Sequence, residues 1–241
     1  MTERRALVVG STGGIGRALV DALVHSGSHD CIYAASRDGS ASGQNGVEPL
    51  LIDILCEASL AAAATEVARA GPLDLLLVAT GLLHRGAGLQ PEKSARALNA
   101  QVMAEMFAVN SIGPALVAKH FLPLLPSRGR AVMAFLSARV GSIEDNRLGG
   151  WHSYRASKAA LNAFIRCFAI EAQRRNPEAL VVALHPGTVD TRLSSPFQRN
   201  VRAGSLFTPA ISASNLLEVI GRLTPADSGG FFGWDGSRIS F

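Results

Sequence analysis

Short, continuous apolar runs alternate along the chain with longer stretches in which apolar residues recur every three or four positions. The runs are ALVV (6–9), CIYAAS (31–36), EPLLIDI (48–54), LDLLLVAT (73–80), RAVMAFLS (130–137), ALVVALH (179–185) and GGFFGW (229–234). Helical spacing marks GRALVDALVHSG after the first run, the Ala-rich SLAAAATEVARAG after the third, and a long stretch from about Asn99 to Leu125. It recurs from about His152 to Arg174 and in SNLLEVIGRL (214–223). Strands that are apolar throughout, rather than at alternate positions, are buried on both faces, as in parallel sheets covered by helices. The pattern predicts an α/β, doubly wound (Rossmann) parallel sheet of about seven strands with helices on both faces, in a single domain. An eight-fold barrel is the competing architecture, but it needs no glycine-rich turn after its first strand.

Three stretches fit no regular element. DGSASGQNG (38–46) reads as a flexible loop in place of a crossover helix, GSIEDNRLGG (141–150) as a polar loop, and 191–209 as a long segment after the sixth strand. Long loops in compact domains are often functional, so substrate loops are expected near 82–98, 139–152 and 191–209. Composition changes little: 48% hydrophobic and 17% charged residues in 241 are ordinary for a soluble globular chain. The net charge of +4 is scattered, which argues against a nucleic-acid partner. Cys31, Cys56 and Cys167 are odd in number and widely spaced, which argues against a disulfide framework and predicts a reducing, cytoplasmic setting. Each is read as a small buried apolar residue. MTERRALVV lacks a signal-peptide pattern, and no membrane span is expected.

VVGSTGGIGRALV (8–20) carries the first candidate chemistry. Gly10 ends a strand; Gly14 and Gly16 open a helix. That context suits a dinucleotide, because a tight turn lets backbone approach a pyrophosphate and the helix N-terminal amides face it. The second strand ends Ala35-Ser36-Arg37. An acidic residue there reads a free ribose 2′-hydroxyl, whereas Arg accommodates a 2′-phosphate. Arg37 therefore favours NADP over NAD, provided that the next residue, Asp38, does not face the ribose instead. Asp53 either accepts a hydrogen bond from adenine or caps the helix that follows it.

SYRASKAAL (153–161) is the sharper signal. Tyr154 and Lys158 are four apart on a predicted helix and share one face. A phenol of pKa about 10 is a poor base at neutral pH, and lowering it by roughly three units takes about 4 kcal/mol. A nearby ammonium and a positive nicotinamide ring are suitable sources. An ordinary helix-surface pair is the alternative.

With Asp53, Asn110 in FAVNSIG, Ser137 and HPGTVDT (185–191), these motifs stand in the order of the short-chain dehydrogenase/reductase family, which the chain resembles over nearly its whole length. FLSARVGSIEDNRLGGWHSYRASKAALN and GGFFGWDG are most similar to its C-factor-like branch. The resemblance implies that Tyr154 is the general acid/base and that Lys158 binds the nicotinamide ribose and lowers the Tyr154 pKa. It implies that Asn110 holds a water linking Lys158 to a proton relay. Pro186, Gly187 and Thr188 would shape the nicotinamide pocket, with Thr191 near the carboxamide. Gly10, Ser11, Thr12, Gly14, Ile15, Gly16, Arg37, Asp53, Thr80 and Gly81 complete the expected cofactor site. A homodimer or homotetramer is also implied.

The chain departs from the family pattern in three places. Val78-Ala79-Thr80-Gly81 replaces Asn-Asn-Ala-Gly, leaving Thr80 to supply a hydroxyl, and Val9 stands where the family often has Thr. The strand-five hydroxyl pair reads Ser137-Ala138, so the catalytic serine is Ser137, or Ser142 if the loop turns back, or absent. His84, His152 and His185 lack metal-ligand spacing, and no metal is expected. Asp145 reads as solvated, and Trp151 either lines the pocket or staples the helix start. Leu82, Leu83, Trp151, Leu193 and Phe197 suggest an apolar carbonyl substrate. The expected activity is an NADP(H)-dependent oxidoreductase acting on a CH–OH group, interconverting a carbonyl and an alcohol, with hydride from the nicotinamide and the proton from Tyr154. The rivals are a cofactor-binding regulatory or signalling protein with little or no turnover, and a lyase or epimerase, which would need a larger substrate domain.

Overall fold

The computed structural model describes residues 3–40, 43–86, 88–201 and 204–241. Residues 41 and 42 of the 38–46 loop, 87 of the first substrate loop, and 202 and 203 of the third lie outside the described residues. Seven strands form one parallel sheet: β1 (Arg5–Val9), β2 (Cys31–Ser36), β3 (Val47–Leu51), β4 (Leu75–Val78), β5 (Ala131–Leu136), β6 (Ala179–His185) and β9 (Phe231–Gly233). Their order is β3-β2-β1-β4-β5-β6-β9. Two further strands, β7 (Thr188–Val189) and β8 (Leu206–Phe207), pair with each other outside it. The chain winds from β1 outward to β3, then returns to place β4 on the other side of β1. The crevice at that reversal, beyond the carboxyl ends of the strands, is where doubly wound folds bind ligands.

Period-2 geometry explains the apolar runs. On β1, Leu7 and Val9 enter one core cluster while Ala6 and Val8 enter the other. The first cluster packs under α2 (Glu57–Ala70), α4 (Gly113–Phe121) and α5 (His152–Arg175). The second packs under α1 (Gly14–Ser26) and α6 (Pro209–Arg222). Both faces of the sheet are therefore dry, and nearly every strand position must be apolar. Pro49, which cannot donate to a ladder, sits in β3 at the sheet edge, where that loss is tolerated.

The structure corrects several boundaries. β3 stops at Leu51, not residue 54. The last helix starts at Pro209, five residues early, because Thr208 Oγ1 accepts from Ile211 N and Pro favours the first helical position. The long helix over 99–125 is α3 (Ala100–Phe107), a π turn (Ala108–Ile112) and α4. Pro114 has no N–H to offer the carbonyl of Asn110, and the helix widens just before it. Segment 191–209 holds a 3₁₀ turn (Ser195–Asn200) and β8. Cys56 and Cys167 are exposed and Cys31 half-buried, so the expectation of buried cysteines fails. Among the described residues no helix is long and apolar enough to cross a membrane.

One contact fixes α1 on the sheet. A Cβ on Gly16 would penetrate the Gly10 carbonyl oxygen and lie 2.8 Å from its carbon. Backbone on both sides leaves nothing to rotate away. Gly16→Ala, normally favourable in a helix, is expected to lower stability by about 1–3 kcal/mol, the range for overpacking. Calorimetry should show a fall in Tm of about 2–10 °C; an unchanged or higher Tm would contradict the contact.

Candidate active site

The glycine run forms a cradle. Gly10 turns at φ 90°, and the Ala35 carbonyl accepts from Gly10 N (2.9 Å), Ser11 N (3.0 Å) and Ser11 Oγ (3.0 Å). This three-donor brace ties the turn to β2 without a Thr at position 9. It commits both donors of Ser11 to the protein, so Ser11 supports the turn and has no donor left for a ligand. Helix α1 starts at Gly14 with no side-chain cap and no acidic residue in its first turn. Its first amides are therefore open to an anion. Thr12 is exposed, and Ile15 packs partly into the core. Thr191 closes the cradle from the far side: a Cβ on Gly14 would meet its Cγ2 at 2.7 Å.

Thr80 lies against Gly10, and its Oγ1 is buried with no partner among the described residues. An orphaned hydroxyl there, beside unpaired helix amides, fits a dinucleotide that supplies the missing partner. Arg37 is exposed just after β2. Asp38 is turned onto its own loop, accepting from Ser36 Oγ (2.6 Å) and from Ser40 Oγ (2.8 Å) and N (3.2 Å). These bonds hold its carboxyl down at about 2. Asp53 does not cap α2, whose N-cap is Cys56. Asp53 Oδ1 accepts from Leu55 N (2.9 Å) in a turn before that helix.

Tyr154 and Lys158 sit on one face of α5 as their spacing predicts, both buried, with Nζ 6.0 Å from the phenol ring centroid. Nζ donates to the Leu136 carbonyl (2.9 Å). A Cβ on Gly81 would approach both Nζ (3.9 Å) and Asn110 Oδ1 (3.8 Å), so the three meet at one point. Asn110 lies in the π turn. It accepts from Leu82 N (2.8 Å) and donates to Leu82 O (2.8 Å) and Ser157 Oγ (3.1 Å). Its side chain thus clamps the chain after Gly81 to α5, a role sequence reasoning did not find. Pro186 O accepts from Ser212 Oγ (2.9 Å). Gly187 and Thr188 border an open cleft of about 430 Å³ shared with Arg139, His185, Trp234 and Asp235. Burial pushes His185 down to about 4, so it is neutral there.

Ser137 is bonded to a partner further along α5. Ser137 Oγ donates to Asn162 Oδ1 (2.7 Å) and is buried, whereas Ala138 packs into the cluster around Tyr154. Ser142 Oγ accepts from Asp145 N (3.0 Å) within its own loop. Leu82, Leu83, Trp151, Leu193 and Phe197 do gather in the Tyr154 cluster, with Leu89 and Met106. His84 Nε2 bonds the Arg192 carbonyl (3.0 Å), tying the first substrate loop to the third. Sequence reasoning missed Asn162, and also Glu92, whose buried carboxylate meets Ser153 at the start of α5.

The phenol is not pre-lowered in the free protein. Burial pushes Tyr154 up, and the same burial lowers Lys158 to about 8. An unfolded lysine titrates near 10.4, so between these values the unfolded chain binds more protons. Lys158 therefore makes stability climb as pH rises from about 8 to about 10.4, and this contribution is lost as pH falls through about 8. Lys158→Met removes the buried charge. In the ligand-free protein its Tm advantage over wild type should be largest at pH 7 and shrink by pH 10; a constant difference would refute the buried ammonium.

Residues 4–202 match the short chain dehydrogenase family. The chain is 31% identical over 237 residues to 1-hydroxy-2-glutathionyl-2-methyl-3-butene dehydrogenase of Rhodococcus sp. (strain AD45), covering 98% of each. It is 34% identical over 170 residues to the C-signal of Myxococcus xanthus, covering 70% of this chain and 93% of that one. The NADPH-bound carbonyl reductase from chicken fatty liver superposes with a TM-score of 0.84 at 26% identity, covering 100% of this chain and 95% of that one. The chain belongs to the short-chain dehydrogenase/reductase family of oxidoreductases.

Proposed function

We propose that the protein is an NADP(H)-dependent oxidoreductase that interconverts a carbonyl compound and an alcohol. The observation that carries this reading is the meeting of Lys158, Asn110 and Gly81, with Tyr154 beside Lys158 on α5, at the mouth of the β1–β4 crevice and beside the uncapped start of α1. The chicken carbonyl reductase of the same fold has NADPH bound. The nicotinamide, when bound, supplies or accepts hydride. Tyr154 holds the proton that the substrate oxygen receives in reduction. Its high resting pKa keeps that proton in place at neutral pH. Lys158 would hold the nicotinamide ribose and stabilises the phenolate once the proton has left. Arg37 reads the 2′-phosphate, since Asp38 is already engaged by Ser36 and Ser40. Gly10, Gly14, Ile15, Gly16 and Thr12 hold the pyrophosphate, Thr80 and Asp53 the adenosine half, and Pro186, Gly187, Thr188 and Thr191 the nicotinamide half.

The substrate is apolar where it meets the Leu83, Leu89, Trp151 and Phe197 wall. With Ala138 in that wall and the Ser137 hydroxyl bonded to Asn162, Tyr154 is the carbonyl's proton donor and main hydrogen-bond partner. The exposed thiols of Cys56 and Cys167 suit a reducing cytoplasm. The C-signal likeness keeps a second reading in play, a cofactor-binding signalling protein without turnover.

Fluorescence titration should show NADPH binding tighter than NADH. Arg37→Ala should weaken NADPH by about 10–100-fold, the worth of charged hydrogen bonds, and leave NADH nearly unchanged. Equal loss for both would remove Arg37 as the phosphate reader. With a panel of apolar aldehydes and ketones, Tyr154→Phe should cut kcat by about 10²–10⁴ without altering NADPH binding. Ala138→Ser should raise kcat/KM by about tenfold or more, since one well-placed donor is worth roughly 10²–10³. Binding without turnover across the panel would favour the signalling reading.

A further inference from the structure

Glu92 belongs to no motif discussed above, yet it is only 5% exposed. No Lys or Arg lies within ion-pair distance of it among the described residues. Its charge is met by the first turn of α5. Ser153 N donates to Oε2 (3.2 Å), Ser153 Oγ donates to Oε1, and Trp151 N donates to the Glu92 backbone carbonyl. Helix α5 has no acidic residue in its own first turn and no side-chain cap at Trp151. A carboxylate brought from 61 positions away takes that place, at the end of the helix dipole that favours an anion.

Two further observations tie this contact to the site. Trp151 is the one non-glycine residue with positive φ among the described residues (φ 51°, ψ 40°), a conformation that persists only where its surroundings enforce it. Its ring meets Tyr154 edge-on at 6.2 Å and Phe197 at 5.0 Å. The loop carrying Glu92 also supplies Leu83 and Leu89 to the wall around Tyr154.

We propose that Glu92 is a positioning residue: its carboxylate caps α5 from the 82–98 loop, which fixes the Trp151 ring against Tyr154 and Phe197 and locks the substrate wall to the helix that carries Tyr154. The kinetic consequence rests on the oxidoreductase reading; the structural one does not.

The test uses Trp234→Phe as parent, leaving Trp151 as the sole tryptophan. Acrylamide quenching of Trp151 is compared in the parent, Glu92→Gln, Glu92→Ala and Ser153→Ala. The last removes one hydrogen bond and guards against a Glu92 variant that does not fold. The expected result is quenching raised at least about twofold in Glu92→Ala, with smaller rises in Glu92→Gln and Ser153→Ala. NADPH Kd should stay within about threefold of the parent while substrate KM rises. A general packing defect would move Kd and KM together, and that outcome overturns the proposal. So does quenching in all three variants equal to that of the parent. If the wild-type protein binds no NADPH, the oxidoreductase reading fails, while the quenching series still decides the role of Glu92.

Discussion

The site depends on how closely the first turn of α1 approaches the end of β1. A side chain at Gly16 would push the helix off the Gly10 carbonyl and move its open amides away from the crevice. The turn is held from three directions. The Ala35 carbonyl braces it from β2, Thr80 packs on it from β4, and Thr191 rests on Gly14 from the segment after β6. Each half of the doubly wound sheet thus touches the same few backbone atoms. A shift in any one of these elements reaches the cradle directly, because the Ala35 carbonyl and the Thr80 and Thr191 methyl groups are already in close contact with it.

Much of this was legible because it follows from chain geometry. Strands buried on both faces have no polar alternation, so ALVV and ALVVALH announce a parallel sheet. Tyr154 and Lys158 share a face because any i, i+4 pair on a helix does. What stayed hidden depends on which way a side chain turns at the end of an element. Ser137 and Ala138 are neighbours, and one step along extended backbone reverses the face. The hydroxyl therefore goes to Asn162 and the methyl group to the Tyr154 cluster. Asn162 stands 25 positions from Ser137 at no spacing that pairs the two, so the sequence had no partner to offer Ser137. Glu92 was hidden for a different reason: a cap supplied from a distant loop has none of the local spacing that marks an ordinary one. The direction Asp38 takes was hidden too, because it is set by its hydrogen bonds to Ser36 and Ser40.

Burial sets the resting charges of Tyr154 and Lys158. It opposes ionisation of both, holding Tyr154 neutral and easing the proton off Lys158 only near pH 8. Near neutrality the ammonium survives because the Leu136 carbonyl accepts from it. The same carbonyl lies at the end of β5, so the strand that positions Ala138 also anchors the lysine.

The π turn at Ala108–Ile112 has a consequence for how this helical segment tolerates change. An extra residue in one turn rotates everything after it by about 100° relative to an uninterrupted α-helix. Met106 and Asn110 therefore serve the Gly81–Leu82 side, while Val117, Ala118 and Phe121 remain in phase with the sheet. The segment behaves as two helices sharing one axis. Each has its own apolar stripe, and a sequence change in one half need not be matched by a compensating change in the other.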